Sequence, residues 1–205
     1  MNDKIRESKI QDAYISIDVS DDALSRLCHA LQAVLESNGI ECEAASSIPH
    51  VSIAYGEGEC SMSRLREAIH RISNHSFEVR ALDFEVFEGR HSGFDYLVLK
   101  LESNSDLEKV FDIARSSMPC RTFSGGMRSH ISLVRFPKGA LNQEFALNLV
   151  HEMNASQAAA FALGKCPVFS GTRVNVFDPN RSCRLSEAFS STFIERSQNI
   201  KYEAV

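Results

Sequence analysis

The order in which hydrophobic periods succeed one another limits this chain more than any other feature. Apolar residues at every second position mark half-buried strands, and apolar residues three or four apart mark helices. Residues 13–19 (AYISIDV) alternate. Leu24, Leu27, Leu31, Val34 and Leu35 then line one face of a helix predicted over 22–37, with Asp21 and Asp22 at its start and Asn38-Gly39 at its end. A strand at 49–55 (PHVSIAY), a helix at 61–75 with Leu65, Ile69 and Ile72 on one side, and a strand at 77–88 follow. Beyond the turn-like GRHSGFD come a strand at 96–101 and a helix at 105–117 striped by Leu107, Val110, Phe111 and Ala114. A Gly125-Gly126 turn, a strand at 130–136 (HISLVRF), a helix at 142–162 and a strand at 165–177 broken near Ser170-Gly171 complete the pattern. The order is β-α-β-α-β-β-α-β-α-β. Its two comparable halves predict an α+β fold, with two similar βαβ-containing lobes facing each other across a central cleft. The expected organisation is one bilobal domain over residues 1–190, with lobes at roughly 13–90 and 91–180, and a polar tail over 191–205.

Each half contributes one strand that begins with histidine. His50-Val51-Ser52-Ile53 and His130-Ile131-Ser132-Leu133 share the pattern His, β-branched apolar, Ser, apolar. Strand side chains alternate faces, so each His and its Ser point one way while the apolar pair points to the core. Two imidazoles flanking one phosphorus can take a proton from an attacking oxygen and give one to a leaving oxygen near neutral pH. Serine hydroxyls on the same face can donate to the non-bridging oxygens, where charge builds. This chemistry requires no metal and no cofactor, and no carboxylate cluster accompanies the motifs in the sequence.

These motifs resemble those of the 2H (two-histidine, LigT-like) phosphoesterase superfamily, and PHVSIAYG, with Pro49 before the first His and Tyr55-Gly56 after it, is similar to the family's first motif. The family includes LigT-type RNA 2′,3′-cyclic phosphodiesterases, plant and fungal cyclic phosphodiesterases, viral enzymes that cleave 2′,5′-oligoadenylates, and RNA 3′-end-trimming exonucleases. The resemblance implies a fold of two lobes around a cleft over residues 13 to about 178. It implies that His50 and His130 are the catalytic pair and that Ser52 and Ser132 bind the phosphate. The expected activity is a metal-independent phosphodiesterase acting on a 2′,3′-cyclic phosphate or a similar 2′-hydroxyl-linked nucleotide or RNA end. A 2′,5′-oligonucleotide or cyclic-dinucleotide phosphodiesterase is the alternative enzyme, and a non-catalytic RNA- or nucleotide-binding module is the alternative of another class.

The same parity extends the list of residues expected at the cleft. Ile15, Ile17 and Val19 belong to the core, which leaves Tyr14 and Ser16 beside His50. Leu97, Leu99 and Leu101 do the same for Tyr96 and Lys100. A tyrosine can stack on a base, Lys100 can meet a phosphate, and Arg128, two residues before His130, can steer an anion. Charge narrows the partner. The chain carries a net charge of −5 over 205 residues, which disfavours a long duplex held by its phosphates and favours a nucleotide or an RNA end. The six cysteines, at 28, 42, 60, 120, 166 and 183, are too scattered for a zinc site and are expected as free thiols. The polar start MNDKIRESKIQD and the lack of an 18-residue apolar run predict a cytoplasmic protein with no membrane span, acting as a monomer.

Overall fold

The computed structural model describes residues 8–19, 22–89, 93–121, 128–162 and 168–190. The Asp21 cap, the start of the GRHSGFD turn at 90–92, the Gly125-Gly126 turn, Cys166 and the tail 191–205 lie outside these residues. The first half of the chain runs β1 (Lys9–Gln11), β2 (Tyr14–Val19), α1 (Asp22–Ser37), β3 (Glu43–Ala44), β4 (His50–Tyr55), β5 (Glu59–Ser61), α2 (Met62–Ser73) and β6 (Glu78–Glu88). The second runs β7 (Phe94–Leu101), α3 (Ser105–Ser117), β8 (His130–Pro137), α4 (Gln143–Ala162), β9 (Val168–Phe177) and β10 (Cys183–Ala188). Every element expected from periodicity is present. The short strands β1, β3 and β5 and the hairpin strand β10 are additions, too brief or too polar to show a period of their own.

Local chemistry sets the helix ends. Ser61 caps α2 by accepting from the Arg64 N–H at 3.3 Å, and Asn104 caps α3 by accepting from the Leu107 N–H at 2.9 Å. Asn104 also donates to the Glu78 carbonyl at 2.6 Å, which ties the start of α3 to β6. In α1 the buried stripe is Leu24, Cys28, Leu31 and Leu35, whereas Val34 is 42% exposed. Cys28, one helical turn from Leu24 and Leu31, completes the stripe.

Eight strands form one antiparallel sheet in the order β10-β9-β2-β4-β8-β7-β6, with β3 added beside β8. The helices α1, α2 and α3 pack on it around one hydrophobic core that includes Ile15, Ile17, Val51, Ile53, Leu97, Leu99, Ile131 and Leu133. Full burial of each such side chain is worth about 1.5–3 kcal/mol. Helix α4 packs against β6, where the pairing with β7 is irregular between Ala81 and Phe84. There the Asn154 side chain accepts from the Phe84 N–H at 2.6 Å and donates to the Phe84 carbonyl at 3.1 Å, meeting backbone groups that the ladder leaves over.

Strand pairing does not follow the split expected near residue 90. Strand β6, from the first half, pairs with β7, and β9, from the second half, pairs with β2. The first residues of β9 also pair with the start of β6, so the sheet closes on itself. Strand β9 changes partner at Gly171. A Cβ there would lie 2.8–2.9 Å from Phe77, Ile17 and Phe189 side-chain atoms, so only glycine fits. Among the described residues no helix is long and apolar enough to cross a membrane. Cys28, Cys42, Cys60, Cys120 and Cys183 are free thiols.

Candidate active site

Strands β4 and β8 run side by side and antiparallel, paired at Val51↔Ile131. In that register His50 lies across from Ser132, and His130 across from Ser52. Both motifs share one burial pattern from His through the fifth residue beyond it: half-buried, buried, half-buried, buried, buried, half-buried. The pattern departs from simple alternation for a physical reason. Each motif carries a β-bulge just after its serine: Ser16↔Ser52 is followed by Ile15↔Ala54, and Val98↔Ser132 by Leu97↔Val134. The bulged pairs, Ile53-Ala54 and Leu133-Val134, all enter the core. The next residues, Tyr55 and Arg135, are thereby turned toward the face that carries the histidines.

Both imidazoles are fixed in the same way. The His50 Nδ1 lies 3.1 Å from the Ile48 carbonyl and the His130 Nδ1 lies 2.7 Å from the Arg128 carbonyl. A carbonyl only accepts, so each Nδ1 carries the proton when the ring is neutral and each Nε2 keeps its lone pair. Burial lowers the pKa of both rings below the ordinary histidine value, and the bonds to the two carbonyls oppose that shift. The nearby His50 lowers His130 further, while Glu85 raises it. On the other side Asp18 raises His50 and Arg181 lowers it.

The serines differ. The Ser52 Oγ accepts from the Tyr55 hydroxyl at 3.1 Å and lies 2.8 Å from the Tyr14 hydroxyl. Ser132 has no hydrogen-bond partner among the described residues. The ring of Tyr14 stacks on Tyr55 (centroids 4.8 Å apart), sits edge-on to His50 (6.3 Å) and is covered by Phe177 (5.9 Å) and the Arg181 guanidinium (5.0 Å). Tyr14 is 6% exposed. Its hydroxyl lies beside Ser52, and its ring is covered by these neighbours. Ser16, expected beside His50, is buried between Ser52 and Asn175 in the sheet, and its hydroxyl has no partner there.

The cations expected near His130 are committed. Lys100 pairs with Asp83 at 3.1 Å and Glu85 at 3.2 Å, and Arg128 with Glu85 at 3.3 Å. Burial pulls the Lys100 pKa down, but those carboxylates outweigh it and hold the ammonium above its usual value. Lys100 is therefore charged and paired with two carboxylates on the face where it was expected. The backbone carbonyl of Arg128 reaches His130, while its side chain is taken by Glu85 and lies over Phe87. Tyr96 is half-buried and sits between Phe87 and Arg135 in the sheet.

Sequence reasoning missed Tyr55, Phe87, Asp18 and Arg181. Phe87 meets the His130 ring edge-on at 4.8 Å. Asp18 faces His50 across the β2–β4 pair, and its alternation with Ser16 gave that away. Arg181 sits in the β9–β10 turn at φ 61°, a left-handed backbone that few non-glycine residues adopt. The buried Asp178 pins this turn, accepting from the Ser182 N–H at 3.0 Å and from Arg184 Nε at 2.8 Å. A separate cavity of about 370 Å³, lined by Glu78, Arg80, Glu102, Asn104 and Asp106 among others, shares no residue with this site.

No protein-family model and no curated protein sequence matches the chain. Solved structures do. Usb1 of Kluyveromyces marxianus superposes with a TM-score of 0.55 at 16% identity, over 87% of this chain and 98% of that one. The same protein with uridine monophosphate gives 0.54 at 15% identity, over 87% and 98%. A structure described as a phosphoesterase gives 0.50 at 15% identity, over 88% and 99%. The fold expected from the two histidine motifs, that of the 2H phosphoesterases, is the fold this chain has.

Proposed function

We propose that the protein is a phosphodiesterase that cleaves a nucleotide or RNA-end phosphodiester, a 2′,3′-cyclic phosphate or a similar 2′-hydroxyl-linked bond, by acid–base catalysis between His50 and His130. The observation that carries this reading is the antiparallel register at Val51↔Ile131, which puts two imidazoles, each held through Nδ1 by a backbone carbonyl, on one face of the sheet. One neutral ring takes the proton from the attacking oxygen, water or a 2′-hydroxyl, as its bond to phosphorus forms. The other, protonated, gives its proton to the oxygen whose bond to phosphorus breaks. Ser52 and Ser132 donate to the non-bridging oxygens. A nucleotide substrate is supported by Usb1, which shares the fold and has been solved with uridine monophosphate. Both motifs belong to one chain, which supports action as a monomer.

The test is turnover in EDTA of nucleoside 2′,3′-cyclic monophosphates, a 2′,5′-oligoadenylate, a 3′,5′-linked RNA oligomer and a cyclic dinucleotide. Wild type is expected to cleave at least one, and His50→Ala and His130→Ala each to lose about 10²-fold or more. Activity restored only by divalent metal sinks the two-histidine mechanism. Binding of a nucleotide without any turnover identifies a recognition module instead.

A further inference from the structure

The half of the site around Ser52 contains a device that the acid–base reading does not use. Tyr14 is buried, and a buried phenol needs an acceptor for its proton. The Ser52 Oγ lies 2.8 Å from that hydroxyl and can accept from it, and the Tyr55 hydroxyl is its other hydrogen-bond neighbour. The Tyr55 hydroxyl donates to the same oxygen at 3.1 Å. A serine hydroxyl has two acceptor lone pairs and one proton. When both tyrosines donate to it, both lone pairs are filled and its own proton points away from the tyrosines.

We propose that Tyr14 and Tyr55 are positioning residues that fix Ser52 as a one-way hydrogen-bond donor. Its proton is thereby directed at an oxygen that can only accept, a charged non-bridging oxygen of the phosphodiester. The proposal rests on the function proposed above and names the part of the substrate that this half of the site holds. Two features support it. Burial and the neighbouring Tyr55 raise the Tyr14 pKa, so the phenol keeps its proton throughout the working range. The Arg181 guanidinium over the Tyr14 ring draws electron density from it and strengthens the hydroxyl as a donor. Ser132, with no partner among the described residues, is free to donate or accept as the substrate demands. The two serines, identical in sequence context, are therefore unequal in role.

The test is a double-mutant cycle. Tyr14→Phe and Tyr55→Phe keep both rings and remove only the hydroxyls. In the wild-type background the double Phe variant is expected to lose about tenfold in kcat, the worth of one well-made hydrogen bond, with KM nearly unchanged. In a Ser52→Ala background the same changes are expected to cost less than about twofold, because no hydroxyl is left to orient. Equal losses in both backgrounds, or no loss in either, overturn the proposal while leaving the phosphodiesterase reading intact. Tyr55→Phe alone serves if the buried Tyr14 variant fails to fold. A second readout is the preference between the two phosphorothioate diastereomers, in which sulfur replaces one non-bridging oxygen or the other. The wild type is expected to discriminate sharply, and the double Phe variant to lose that discrimination. No turnover of any substrate by wild type overturns this proposal and the function it rests on together.

Discussion

The two halves of the site start alike and end differently. Around His50 and His130 the backbone does the same three things: a carbonyl two residues upstream holds Nδ1, a serine follows on the same face, and a bulge after that serine brings the fifth residue beyond the histidine onto that face as well. What the fifth residue does then separates them. Tyr55 folds back and donates to Ser52. Arg135 turns outward, where it bonds Glu43 at 2.8 Å and covers the Phe94 ring at 4.9 Å. The strands flanking each motif extend the contrast. Across from Tyr55, β2 offers Tyr14, whose hydroxyl reaches Ser52 at 2.8 Å; at the matching place across from Arg135, β7 offers Tyr96, which makes no hydrogen bond to Ser132. Charge divides in the same way. The cations near His130 are absorbed by Asp83 and Glu85, whereas Arg181 beside His50 is in no ion pair with a carboxylate among the described residues. A motif thus fixes backbone geometry, and its neighbours decide what the geometry is used for.

Removing one serine at a time breaks this comparison most directly. Ser52→Ala is expected to lower kcat by about 10²-fold, as for a preorganised donor to a developing oxyanion, and Ser132→Ala by roughly tenfold less. Single-turnover rates of the two variants on one substrate decide it, and equal losses mean that the tyrosines confer nothing.

The pH profile tests what the halves share. Both histidines lie below 6.5 because burial disfavours their charged forms. The free enzyme therefore protonates one of them only on the acid side of 6.5, so kcat/KM is expected to follow a bell with its maximum below that value. A bound phosphate favours the imidazolium, so the maximum in kcat is expected at higher pH. Stability carries the matching sign. The unfolded chain binds these protons more readily, so this contribution to folding is lost as pH falls below 6.5. His50→Gln and His130→Gln should each flatten that slope in urea unfolding at pH 5 to 7. A kcat/KM maximum well above 7 excludes two desolvated histidines as the titrating pair.

The smallest effect sharpens the difference in charge. Lys100→Ala is expected to cost about fivefold or less in kcat/KM, because the ammonium is already spent on Asp83 and Glu85 and such half-exposed pairs are weak. A loss comparable with that of Ser52→Ala makes Lys100 a phosphate ligand after all.

The histidine pair, the serines and the order of the elements were legible in the sequence because a period and a repeated tetrapeptide are local signals. Tyr55 was not. Strict alternation places it on the core side, and only the bulge between Ser52 and Ala54, which no residue in PHVSIAYG announces, brings it into the site. Lys100 was placed on the correct face, but its neutralisation depends on Asp83 and Glu85, which reach it through the β6–β7 register. That strand pairing crosses residue 90 was hidden for a related reason. Strand pairing between distant segments is set by the whole sheet, and neither β6 nor β9 carries a mark that says which half it will join. Ser170-Gly171 did show as a break in the last long strand, and it is the point where β9 changes partner.

That change of partner has a consequence for the way the protein is made. A single strand near the end of the chain serves as the seam of the sheet, its first residues stitched to β6 and the rest to β2. Until residues 168–177 have left the ribosome, β2 and β6 both stand as open edges able to pair with other chains. The seam also brings Phe177 over Tyr14, so the hydroxyl triad at Ser52 is covered last of all. Because its contacts span nearly the whole sequence, closing it is expected to be the slow event in folding. The nascent chain carries both histidine motifs well before it has a finished site.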